Sequence, residues 1–129
     1  MARPSELNRA SRALNKINDI KSFPEPLQKK YSSYVKSAPS MILINGLGQS
    51  LAFWKTNADQ NGSDEKKAYY FLINHIEHNY KEVNKCDSNL FFDVINQMDS
   101  DQYRRITNET MEFLKWLKKF ATSELAKEE

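Results

Sequence analysis

Three glycines and four prolines are scattered through 129 residues. These two residue types supply most of the special backbone angles that tight turns require, so a chain this poor in them has little capacity for the many turns of an all-β fold. The few breaks fall at Phe23-Pro24-Glu25-Pro26, Ser37-Ala38-Pro39, Gln60-Asn61-Gly62-Ser63, Cys86-Asp87-Ser88 and Met98-Asp99-Ser100. Between them apolar residues recur every three or four positions, the spacing of a helix with one buried face. No run of period-two alternation competes with it.

Leu7, Ala10, Leu14, Ile17 and Ile20 predict a first helix over about 5–22, with Ser5 as N-cap. Pro24 and Pro26 end it and open a second, in which Leu27, Tyr31, Tyr34 and Val35 share a side. A third is expected to start at Ser37 with Pro39 in its first turn. Met41 to Ile44, Leu47 and Leu51 to Trp54 make it apolar nearly all round, as the central helix of a bundle would be. Ser63 with Asp64 and Glu65 caps a fourth, striped by Ala68, Phe71, Leu72, His75 and Ile76, with Tyr69, Ile73 and Tyr80 as a second stripe. A short fifth spans about 89–97. A long sixth follows Asp99 and Gln102, which are spaced as a capping box, and buries Ile106, Thr110, Phe113, Leu114, Leu117, Phe120 and Ala121. The expected fold is all-α, a compact bundle of five to six helices in one domain over 1–129.

Cys86 is the only cysteine, so neither an intramolecular disulfide nor a cysteine zinc site can form. An unpaired thiol suits a reducing compartment. Met1-Ala2-Arg3-Pro4-Ser5 has no apolar core of a secretory signal, and the longest apolar stretch, 38–54, is interrupted by Pro39, Asn45 and Gln49. A cytoplasmic protein without membrane contact is expected.

Signals for catalysis are weak. His75 and His78 are three apart, but the first falls on an apolar stripe and the second does not share a direction with Glu82, so no metal site is expected. Asn45-Gly46-Leu47-Gly48-Gln49 lacks both the third glycine of a dinucleotide fingerprint and the Lys-Ser/Thr ending of a P-loop. No G-x-S-x-G elbow occurs. Cys86 reads as a surface thiol, and Asp99 and Asp101 are explained by helix capping. No catalytic residue, cofactor or metal is expected, and hence no enzyme.

The basic residues are more informative. Residues 1–58 carry nine Lys/Arg and three Asp/Glu, a net of +6, and residues 59–129 carry ten and fourteen, a net of −4. This asymmetry points either to an anionic partner on one side or to charge scattered over solvated faces. Arg9, Arg12 and Lys16 follow helical spacing on what reads as the side opposite the first apolar stripe. Lys29, Lys30 and Lys36 extend the positive half, and Arg104, Arg105, Lys115, Lys118 and Lys119 form a second group. Phosphate backbones are held by such clusters, and single strands also use aromatic platforms, for which Tyr31, Tyr34, Phe53 and Trp54 are candidates.

Two segments then stand out together. Tyr34-Val35-Lys36-Ser37-Ala38-Pro39-Ser40-Met41-Ile42 runs into Asn45-Gly46-Leu47-Gly48-Gln49-Ser50-Leu51-Ala52-Phe53. Further on, Tyr103-Arg104-Arg105, Thr107 and Glu109 lead to Phe113-Leu114-Lys115-Trp116-Leu117-Lys118-Lys119-Phe120-Ala121. In this order the chain, over about residues 5–125, resembles the small α-helical subunit of the type III-B CRISPR effector, the Cmr complex. The resemblance implies an all-helical bundle that stacks in several copies beside the guide-holding backbone and helps form the target-RNA channel. It implies no cutting chemistry. The implied partners are other subunits of the effector, further copies of the chain, and RNA.

Charge and spacing put Arg9, Arg12, Lys16 and Lys36 first as phosphate contacts, with Arg104, Lys115, Lys118 and Lys119 after them. Reversing Arg12 to Glu is expected to weaken RNA retention more at low salt than at high salt. Gly46 and Gly48 are expected to permit close packing, inside the chain or between subunits. A helical protein-interaction adaptor without RNA contact and a stand-alone nucleic-acid-binding protein remain as alternatives.

Overall fold

The computed structural model describes residues 3–127, so the expectation drawn from Met1 and Ala2 lies outside the described residues. Five helices and no strand are found among them: α1 (Ser5–Lys21), α2 (Glu25–Asn57), α3 (Asp64–Asn84), α4 (Leu90–Asn96) and α5 (Ser100–Glu124). The caps follow the local sequence. Ser63 Oγ accepts from the Lys66 amide, Asn89 Oδ1 from the Phe92 amide, and Asp99 and Gln102 close a reciprocal capping box. Ser5 is the first helical residue rather than a cap. Pro4 precedes it and makes no side-chain cap.

The expected start at Ser37 is replaced by a continuous limb that runs through Pro39, and the chain instead breaks at Gly46, where φ is +83° and ψ 161°. That backbone is open to glycine and strained for other residues. Its effect is large. Tyr34 and Phe53 would stand about 28 Å apart on a straight helix at 1.5 Å per residue. Both meet the ring of Tyr69, at centroid distances of 4.0 and 5.9 Å. The limbs 25–45 and 47–57 therefore fold back on one another. Because 47–57 begins a new helix, its first amides have no partner in the preceding limb. The Gly48 amide donates to the phenol oxygen of Tyr103 on α5, 3.1 Å away. A Cβ on Gly46 would lie 3.2 Å from the same oxygen, and one on Gly48 would meet Val94 and Ile95 at 3.5 Å, so both glycines pack inside the chain.

The core draws on all five helices, with Ile17, Tyr31, Leu47, Trp54, Leu72, Leu90, Phe113 and Leu117 among its sealed side chains. Burying each large apolar side chain contributes about 1.5–3 kcal/mol. α2 and α3 share the largest interface, and α1 lies mainly on α5. Ion pairs Arg9–Glu109 and Lys21–Glu124 advance in the same direction along both helices, so α1 and α5 run parallel. The fold-back also overturns the expectation of a helix buried all round. Leu43 and Ile44, just before the break, are 77% and 81% exposed.

Candidate nucleic-acid interface

Six of the eight basic residues singled out by spacing fall into two environments. On α1 the buried face is Ala10, Ala13, Ile17 and Ile20. It is rotated towards Ala13 and away from Leu7, which is 44% exposed. Arg9, Arg12 and Lys16 therefore lie at its margin, half-buried, rather than opposite it. Arg9 donates from Nε and Nη2 to the two carboxylate oxygens of Glu109, at 2.9 and 2.7 Å. Arg12 Nε donates to Asn79 Oδ1 at 2.8 Å, and its Nη2 lies 4.0 Å from Glu109. Asn79 in turn donates to Glu109 at 3.2 Å. Burial works against ionisation of Glu109, but the hydrogen bonds from Arg9 and Asn79 hold its carboxyl below the usual range. Burial lowers the Lys16 ammonium. Arg9 and Arg12 thereby join α1 to α5 and α3.

The second environment is the outer side of α5. Lys115, Lys118, Lys119 and Thr122 line an open hollow of about 470 Å³. Lys115 pairs with Glu112 at 2.7 Å, while the Lys118 ammonium has no ion pair or hydrogen bond among the described residues. Lys119 lies over the ring of Trp116 at 5.2 Å, and Trp116 stacks on Phe120 at 5.5 Å. Three cations beside a half-buried stacked aromatic pair form the combination that single strands recognise: a positive track for phosphates and a π-face for bases. Lys36, on limb 25–45, is exposed and likewise unpaired among the described residues. Arg104 is exposed and held by Asp101 at 2.6 Å.

The expected aromatic platforms lie elsewhere. Tyr31 and Trp54 are sealed in the core, and Tyr34 stacks on Tyr69, leaving Phe53 as the exposed member of that set. Phe120 was read only as part of the apolar stripe of α5, and Trp116 only within the motif at 113–121. Their i, i+4 spacing beside three lysines was the available signal. His75 is buried and bonded through Nδ1 to the Tyr31 hydroxyl at 2.6 Å, with its pKa pushed down to about 3 by burial first and then by Lys16. No cluster of three His, Cys, Asp or Glu that could hold a metal occurs among the described residues, and no helix there is long and apolar enough to cross a membrane.

Beyond these local features, nearly the whole chain fits one family. The model described as CRISPR-associated protein (Cas_Cmr5) matches residues 5–124.

Proposed function

The chain belongs to the Cas_Cmr5 family of small Cmr-type CRISPR-associated subunits, with other Cmr subunits as its partners, and from that premise we propose that it acts without catalysis, stacking in copies along the effector and lining the channel for target RNA. The observation that carries this reading is the α5 surface, where the unpaired Lys118 stands among Lys115, Lys119 and the Trp116–Phe120 stack. Phosphates would follow the lysines and displace their counterions, and an unstacked base would rest on the aromatic pair. Arg9, Arg12 and Lys16 contribute positive potential from positions already tied to Glu109, Asn79 and the margin of the α1 face. Lys36 and Arg104 extend the field from α2 and α5.

Charge reversal at Lys118 and Lys119 tests the reading. The assembled complex carrying both reversals should lose RNA retention, more strongly at low salt than at high salt, with a salt slope smaller by about two. Equal loss at every salt concentration points to failed assembly instead. Unchanged retention supports the adaptor alternative.

A further inference from the structure

A cavity of about 680 Å³ forms a groove between the C-terminal end of α3, α4 and the first turns of α5. From it we infer that this groove holds one nucleotide of single-stranded RNA, with its phosphate on Arg105 and its base on Phe92. The inference rests on the RNA reading above and adds a second contact, from Phe92 on α4 and Arg105 near the start of α5.

The argument is one of spare hydrogen-bonding capacity. Asn89 and Gln102 spend their oxygens on helix caps, accepting from the amides of Phe92 and Asp99 at 2.9 and 3.1 Å. Their NH₂ ends are left as donors at the groove. Gln97 adds an uncommitted amide. Each of the surrounding carboxylates accepts one hydrogen bond. Asp93 accepts from the Tyr80 hydroxyl at 2.8 Å, Asp99 accepts from the Gln102 amide at 2.8 Å, and Asp101 is held by Arg104 at 2.6 Å. Arg105 has no hydrogen bond or ion pair among the described residues. The groove thus offers one unpaired cation and several amide donors. That balance fits a ligand rich in acceptors and negatively charged, as a phosphodiester with a base edge is. Phe92 is 54% exposed and lines the same groove. An exposed phenylalanine in the same groove as an unpaired guanidinium gives a base something to stack on while its phosphate is neutralised. An apolar peptide would leave Arg105 and the amide donors without partners.

The experiment uses the complex purified through a tag on this chain, exposed to single-stranded RNA carrying 4-thiouridine and irradiated, with cross-linked peptides mapped by mass spectrometry. The expected result is a cross-link within residues 90–97, its yield falling by about tenfold in Phe92→Ala, the loss of one stacked base. In Arg105→Gln the yield should fall at low salt and less at high salt. Both side chains are exposed, so neither change removes core packing. Cross-links confined to residues 115–120 would overturn the groove assignment and leave the RNA reading standing. No RNA cross-link anywhere on the chain would overturn both. A protein cross-link from the groove to another subunit, persisting with RNA bound, would make it a docking site for a polypeptide and would also overturn the inference.

Discussion

The phenol oxygen of Tyr103 accepts a hydrogen bond from the Gly48 amide at 3.1 Å and sits 3.2 Å from where a Cβ on Gly46 would stand. One side chain on α5 thereby caps the second limb of α2 and closes over the residue at which the two limbs part. Tyr103→Phe leaves the Gly48 amide without its acceptor, at a cost of about 1–2 kcal/mol. Gly46→Ala forces a side chain into a glycine-only backbone conformation and against Tyr103, at about 1–3 kcal/mol. Gly48→Ala meets its neighbours only at 3.5 Å and gains helix propensity, so it should be close to neutral. Thermal unfolding of the three variants should therefore rank Gly46→Ala and Tyr103→Phe well below Gly48→Ala. Equal melting temperatures for the two glycine variants would refute the hinge.

The Arg9–Glu109–Arg12 cluster predicts a separation between stability and RNA contact. Arg12→Glu sets a second carboxylate beside Glu109 and removes the donor to Asn79 Oδ1. A loss of about 2 kcal/mol is expected, below that of a fully buried pair because these side chains are partly solvated. Lys118→Glu touches no internal partner and should leave the melting temperature unchanged within about 0.5 kcal/mol. Differential scanning fluorimetry of the isolated chain checks both. Weakened RNA retention in Arg12→Glu is thus not a clean test of phosphate contact, whereas the same loss in Lys118→Glu is.

His75 predicts acid sensitivity. Its folded pKa, down to about 3, lies below the ordinary 6.5. Between those values the unfolded chain binds a proton that the native state does not, so stability from this group is complete above about pH 6.5 and is lost as pH falls towards 3. The slope from one group is at most about 1.4 kcal/mol per pH unit. Glu109, held below the carboxylate range, adds loss at the acidic end as pH falls through its folded pKa. His75→Gln can keep a partner for Tyr31 without titrating, so its urea midpoint should vary less between pH 6.5 and 4 than that of the wild type. Parallel pH profiles would contradict this.

Much of the fold was legible in the sequence because its signals are local. Ser63 and Asp99 cap the helices they precede, and the stripes of α3 and α5 name most of their buried residues. The fold-back of α2 was not legible. Pro39 is the stronger local breaker, yet the limb continues through it and parts at Gly46, where α5 supplies Tyr103 from far along the chain. The rotation of α1 was hidden for a similar reason. Ala13 and Leu14 are both apolar, and only packing against α5 decides which turns inward. Arg104 and Arg105 look interchangeable as neighbours, but Asp101 one turn earlier occupies the first and leaves the second free in the groove.

The central claim, a small RNA-lining subunit present in several copies, is tested most directly by purifying the complex through a tag on this chain at moderate salt, then measuring its native mass and extracting its RNA. The account predicts a large multi-protein particle that carries short RNA and more than one copy of the chain. Recovery of the chain with one or two proteins and no RNA would contradict it.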